Sequence, residues 1–231
     1  MVSAERIRDN LQRINARVAG AAEKSGRSPD QVRVVAVCKY VDSEITEKVI
    51  NSGALDIGEN RPQQLWQKAE SIGSPEVKWH LIGQLQSNKV KRTLPLITLL
   101  HSLDRLKLAK AIEQHAMQLD LTVDALVQVN VSGDTSKSGF HPAEVESAIE
   151  QILEYQHIKV KGLMAMAGLG SDAVTTRREF ESMRLLQNRL QDRFGGQLSF
   201  SELSMGMSRD YEMAIEEGAT MVRVGSEIFR E

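Results

Sequence analysis

Apolar positions in this chain follow two alternating rhythms. Near the N-terminus Ile7, Leu11, Ile14 and Val18 recur at steps of four, three and four, the spacing of one apolar helix face, and Gly26 and Pro29 close the segment. After it come eight short apolar runs: VVAVCK, LDIGE, WHLIG, TLLHSL, DALVQVN, VKGLMAM, SELSMG and MVRVG. Between them lie stretches whose patterns suit helices, over 43–52, 62–72, 86–93, 104–119, 142–155, 175–194 and 208–217.

Near-continuous apolar strands separated by helices indicate a parallel sheet covered on both faces, and eight such units are the number that closes a (β/α)8 TIM barrel. The last strand has no helix after it. The N-terminal helix, about residues 3–25, is therefore expected to fill the vacant place in the outer ring. No Pro/Gly/Ser-rich linker or composition shift divides the chain, so one domain is expected over 1–231. An open doubly wound sheet is the alternative architecture.

Composition narrows the function classes. With 231 residues, 41% of them hydrophobic, the chain can bury a sizeable core. A net charge of −2, with both signs spread along the sequence, offers no basic stripe for nucleic acid or an anionic membrane surface. The single cysteine, Cys38, forms no internal disulfide, and Glu5, Asp9 and Glu23 are residues that transit peptides avoid, so a cytoplasmic location is expected. No apolar run approaches the roughly 20 residues that span a bilayer. No G-x-G-x-x-G or P-loop follows a strand, and the five histidines and Cys38 show no ligand spacing, so no metal site is expected.

In a parallel barrel the reactive groups sit at the C-terminal ends of the strands, and phosphate commonly binds after strands seven and eight. Val35, Val37 and Lys39 share one side of the first strand, and Val34, Ala36 and Cys38 the other. If Lys39 points inward it tops the barrel, where a primary amine can form a Schiff base; a lysine swung into solvent fits its position equally well. On the eighth strand Met221, Arg223 and Gly225 share a face. Val222 and Val224 suit the helix-facing side, so Arg223 should point into the barrel and needs an acceptor, either a ligand's ring nitrogen or a carboxylate in a structural salt bridge.

The turns SMGMS (204–208) and Gly225–Ser226 are small enough for close approach of a phosphate, with Ser208 expected at the start of the following helix. Either turn alone reads as an ordinary cap or tight turn; their joint placement after strands seven and eight favours an anion. MAGLGS, with Gly168 and Gly170, reads as a loop over the mouth. His80 reads as a hydrogen-bonded core histidine, Cys38 as a packing residue, and Lys89, Lys91 and Arg92 as a solvated helix end.

Over nearly its whole length the chain resembles the pyridoxal 5′-phosphate (PLP) homeostasis protein family, also called the YggS/PROSC family of PLP-binding proteins. The resemblance rests on VAVCKY, IGEN, WHLIGQLQSNK, HSLDR, QVNVSGDTSKSGF, KGLMAM, LSMGMSRDYEMAI and MVRVGSEIF, in that order along the chain. It implies a fold-type III barrel similar to the N-terminal domain of alanine racemases, with PLP held as a Schiff base on Lys39. It also implies Asn60 beside the ring, Arg223 at the pyridine nitrogen, and Ser204, Ser208, Gly225 and Ser226 around the phosphate.

An arginine at the ring nitrogen disfavours protonation there and weakens the ring as an electron sink. Alanine racemases bring a second acid or base, a tyrosine, from another domain; Tyr40 and Tyr211 are no obvious equivalents. The resemblance accordingly implies a monomeric carrier in PLP and amino-acid homeostasis, with PLP-dependent apoenzymes as acceptors and without catalysis. A fold-type III racemase or decarboxylase is the alternative, and a Schiff-base aldolase acting on a phosphorylated sugar follows from fold analogy alone. The chain departs from the common family pattern at Cys38 and Tyr40, where serine and threonine are frequent, and in the ending SEIFRE. That ending introduces Glu227 and Arg230; Glu227 is expected to face solvent, and Arg209 to add positive charge near the phosphate turn.

Overall fold

The structure is a computed structural model that describes residues 2–134, 137–168 and 170–231; two residues of the QVNVSGDTSKSGF segment and one of MAGLGS lie outside the described residues. Eight strands, β1 (Arg33–Val37), β2 (Asp56–Glu59), β3 (Lys78–Leu81), β4 (Leu99–Leu103), β5 (Val123–Val129), β6 (Ile158–Ala165), β7 (Glu202–Met207) and β8 (Met221–Val224), form a closed parallel barrel in chain order. Pairing of β1 with β8, Val35 opposite Arg223, completes the ring and rules out an open sheet.

Among the described residues eight α-helices surround it: α1 (Ala4–Lys24), α2 (Ser43–Asn51), α3 (Pro62–Ile72), α4 (Val90–Thr93), α5 (Leu106–Leu119), α6 (Val145–Ile152), α7 (Ala173–Phe194) and α8 (Tyr211–Glu216). Among the described residues no helix is long and apolar enough to cross a membrane.

α1 buries Ile7, Leu11, Ile14 and Val18, each worth about 1.5–3 kcal/mol of removal from water. It lies against α8 and α2, the place that a helix after β8 would have taken. Its side chains also tie down the chain end: Asn10 Nδ2 donates to the carbonyls of Ile228 and Arg230, at 3.0 and 2.8 Å.

Three helices are shorter than the sequence pattern suggests. The stretch 86–93 breaks into a 3-10 turn at Ser87–Lys89 and one turn of α4, followed by a 3-10 turn containing Pro95, which cannot donate a backbone hydrogen bond. Ahead of α6, the Glu144 N–H closes a turn on the His141 carbonyl, and the helix begins at Val145. α8 begins at Tyr211, so Ser208 sits in the turn before the helix and does not cap it.

Two apolar clusters divide the core. The larger, which includes Ala36, Cys38, Val222 and Val224, lies between strands and helices. The smaller, Leu99, Leu126, Met164 and Met221 with Met166 against it, fills part of the barrel interior. Arg223 shares the side of β8 with Met221 and therefore points inward. Bulges disturb the two-residue alternation on β6 and β7. Gly162, at φ 155°, occupies the first, because a Cβ there would overlap the Glu202 carbonyl. Gly206, at φ 87°, occupies the second, where a Cβ would press on Ala214.

Candidate functional site

Lys39 follows the end of β1 and is half-buried at the C-terminal mouth of the barrel. Its amine stands 5.0 Å from the ring centre of Tyr40, which is 89% exposed. With Asn60, Asp42, Arg61, Gln64 and Lys68 it lines a cavity of about 500 Å³ that opens between the loops leading into α2 and α3. Asp42 fixes the far end of the Lys39 loop, its carboxylate accepting from the Ile45 N–H at 2.9 Å to cap α2.

A second device holds the near end of that loop. Lys68, on α3, donates to the Cys38 carbonyl at 2.8 Å and to the Glu59 carboxylate at the end of β2. The Lys68 and Glu59 side chains are 5% and 0% exposed. Burial pushes the Glu59 carboxyl above its ordinary range, against the pull of Lys68. The Cys38 thiol is pushed up to about 12 by burial, which leaves it a packing residue.

Arg223 is 4% exposed and has no carboxylate within ion-pair distance among the described residues. Its Nη1 donates to Ser204 Oγ at 2.6 Å and its Nη2 to the Ala165 carbonyl at 2.8 Å. Burial pulls the guanidinium down to about 10, with the Asp210 carboxylate opposing, so it stays charged at neutral pH. The salt-bridge alternative left open by the sequence is thus not what the fold builds.

The residues expected around a phosphate separate into two groups. Ser208, Gly225 and Ser226 meet at the rim, where the Gly225 N–H donates to Ser208 Oγ at 3.2 Å. Gly225 also packs closely on β1, since a Cβ there would lie 3.2 Å from the Val37 carbonyl, two residues before Lys39. Ser204 is fully buried in the interior, its hydroxyl engaged by Arg223 and His101, and does not stand with the rim turn. The Gly206 bulge separates the two serines.

Arg209 is exposed beside Ser208. Glu227 turns outward, but onto α1 and not into open solvent: Arg17 pairs with it at 2.9 Å and the Tyr211 hydroxyl donates to it at 3.4 Å. Tyr211 is thereby committed to the outer surface of the barrel. The Gly168 N–H, at the edge of the loop after β6, donates to Glu179 at 2.8 Å.

Two constellations were not foreseen as sites: the Glu59–Lys68 pair, and the buried polar set of Asp56, His80, His101 and Ser204. Parity along the strands carries a trace of the second, because Asp56 shares the inward side with Gly58, and His80 with Ile82.

A closed barrel with a half-buried strand-end lysine, an inward arginine on the last strand and a small-residue rim turn belongs to the class described as the alanine racemase N-terminal domain, whose family model matches residues 2–230. A pyridoxal phosphate homeostasis protein of Aquifex aeolicus is 37% identical over 223 residues, covering 96% of this chain and 97% of that protein. One from Pseudomonas aeruginosa is 33% identical, covering 96% and 94%. Among solved structures, PipY of Synechococcus elongatus with PLP bound superposes with a TM-score of 0.86 at 32% identity, covering 97% of this chain and 100% of that one. An alanine racemase of Clostridium difficile, 14% identical, shares the fold with a TM-score of 0.79, this chain matching 60% of its length. The chain belongs to the pyridoxal phosphate homeostasis protein family.

Proposed function

We propose that the chain binds PLP as a Schiff base on Lys39, with Arg223 at the pyridine nitrogen, Asn60 beside the ring, and Ser208, Gly225 and Ser226 around the phosphate. The observation that carries this reading is Arg223: a buried guanidinium held by a hydroxyl and a carbonyl, with no carboxylate within ion-pair distance among the described residues, inside the barrel whose first strand leads to Lys39. A buried cation left without a counter-charge is costly, and an acceptor nitrogen on a bound ring repays part of that cost. Ser204 enters the site through Arg223, as a residue that orients the guanidinium.

The residues also favour a carrier in PLP and amino-acid homeostasis over an enzyme. A guanidinium at the ring nitrogen opposes its protonation and so limits the electron withdrawal that the cofactor supplies when bound. Tyr211 is turned onto α1 and Glu227, and Tyr40 stands in solvent on the Lys39 side, so neither offers an acid or base on the opposite face. The relatives' names, homeostasis proteins and not enzymes, support the same reading. As a cytoplasmic monomer the chain would pass PLP to PLP-dependent apoenzymes, which a transfer assay with a purified apoenzyme tests.

The deciding experiment is the near-ultraviolet and visible spectrum of the purified protein after incubation with PLP, beside Lys39→Ala. A Schiff-base band that disappears in the variant is expected. No band in the wild type, or an unchanged band in Lys39→Ala, overturns the assignment. Turnover of an amino acid lost with Lys39 would instead establish a fold-type III racemase or decarboxylase.

A further inference from the structure

A line of polar groups runs through the barrel interior from floor to mouth. Asp56 opens β2 at the floor, with Arg33 3.8 Å away. Its Oδ1 lies 3.0 Å from His80 Nε2, and His80 Nδ1 lies 2.9 Å from His101 Nε2. His101 Nδ1 lies 2.9 Å from Ser204 Oγ, the oxygen to which Arg223 donates. Five strands, β2, β3, β4, β7 and β8, contribute one group each. His80, His101 and Ser204 are 1%, 0% and 0% exposed, so these groups must satisfy one another.

The hydrogens can be placed by elimination. An ionised carboxylate only accepts, so His80 Nε2 must carry a hydrogen toward Asp56. If His80 is neutral, its Nδ1 is bare and must receive the hydrogen of His101 Nε2. Burial, reinforced by the positive charges of Arg223 and Arg33, holds His101 well below its ordinary value, so that ring is neutral and, donating through Nε2, leaves its Nδ1 bare as well. Ser204 then donates to His101 Nδ1 and accepts from Arg223. Every contact is a hydrogen bond, and every donor points toward Asp56. A doubly protonated His80 would reverse the imidazole contacts, place a second buried cation near Arg223, and make Ser204 Oγ accept twice with its own hydrogen unassigned.

We propose that Asp56, His80, His101 and Ser204 are positioning residues that form a one-directional hydrogen-bond relay, locking the orientation of the Arg223 guanidinium and tying it to a carboxylate on the opposite end of the barrel. Among the described residues no carboxylate lies within ion-pair distance of Arg223, and Asp210 acts on it only from farther away; the negative end of the hydrogen-bonded relay is Asp56, reached through polarisable groups in a low-dielectric interior. The relay needs no ligand. Its consequence, that a floor residue adjusts how Arg223 meets a ring nitrogen, rests on the PLP reading.

The test is side-chain nitrogen NMR on uniformly labelled protein without PLP. Both imidazoles are expected to be protonated at Nε2 and bare at Nδ1, and the Arg223 guanidinium to give resolved, slowly exchanging signals. Asp56→Asn removes the floor charge and is expected to shift the His101 and Arg223 resonances, neither of which Asp56 touches, while Asp56→Glu restores them in part. A hydrogen on Nδ1 of either ring, or an Asp56→Asn protein that is folded with His101 and Arg223 unmoved, overturns the relay. The tautomer measurement needs no variant and therefore stands even where a substitution unfolds the chain. Failure of the protein to take up PLP would sink the cofactor assignment and leave these signals as they are.

Discussion

Replacing Lys68 by methionine removes the cation from a pair whose carboxylate, on Glu59, is fully buried. Breaking a buried ion pair from one side costs about 3–5 kcal/mol, against a total stability on the order of 5–15 kcal/mol for a domain. At about 2–4 °C per kcal/mol for a chain of this size, Lys68→Met should lower the Tm by roughly 6–20 °C. Removing both charges, as Lys68→Met with Glu59→Met, should return most of the loss, because two apolar groups of similar volume need no counter-charge.

The single variant should also change the pH dependence. Glu59 is already pushed upward by burial, and without Lys68 the opposing pull is gone. A carboxyl whose folded value lies above its unfolded one binds the proton more readily in the native state. Its stabilising contribution is present below the ordinary 4.5 and lost as pH rises through the folded value, so the deficit of Lys68→Met should shrink as pH falls toward 4.5. Thermal melting measures the Tm changes, and urea denaturation at several pH values the free energies and their pH dependence. A single variant within about 1 kcal/mol of wild type, or a double variant no better than the single, would refute the pair as described.

Other expectations follow from the same geometry. His101 is held neutral by burial, so the unfolded chain binds the extra proton; below about 6.5 stability should fall by up to about 1.4 kcal/mol per pH unit, a slope that denaturation of His101→Gln should lack. Gly162→Ala should cost more than about 3 kcal/mol, because φ 155° is strained for any side chain and the new Cβ meets the Glu202 carbonyl; thermal melting within about 1 kcal/mol of wild type would contradict the bulge. Cys38 should resist a thiol reagent in the native protein and react at once in denaturant, and equal rates in both would show the strand end to be open.

The architecture was legible because the strands are short, largely apolar runs and each long helix has one apolar face, a pattern that few arrangements other than a covered parallel sheet satisfy. The inward direction of Arg223 was legible for a related reason: Val222 and Val224 claim the helix-facing side, where they do pack. The two serines of SMGMS were not separable in sequence. They are four residues apart and would share a face under strict alternation, but the bulge at Gly206 shifts the register between Ser204, opposite Met221, and Met207, opposite Arg223. The meeting of His80 with His101 depends on the stagger of neighbouring strands, since the residue paired with His80 is Leu99, and nothing in either run states that stagger. The start of α8 was misplaced because Asp210, accepting from the Met207 N–H at 2.6 Å, holds an extra turn before the helix.

The two basic residues proposed to meet the cofactor are held in different ways, and this separates stability from binding. Arg223 is held through its own side chain by Ser204, whereas the Lys39 amine makes no hydrogen bond among the described residues and only meets the Tyr40 ring; its backbone is fixed by the Lys68 and Val41 N–H bonds to the Cys38 carbonyl and by the Asp42 cap. Methionine at 59 and 68 can restore the charge balance but supplies no donor to that carbonyl. The doubly substituted protein should therefore recover its melting temperature without recovering wild-type retention of PLP, measured as release to a competing amine. If retention returned together with stability, the Lys68 bond would have no part in setting Lys39, and the Val41 N–H bond to the Cys38 carbonyl with the Asp42 cap would be sufficient to place it.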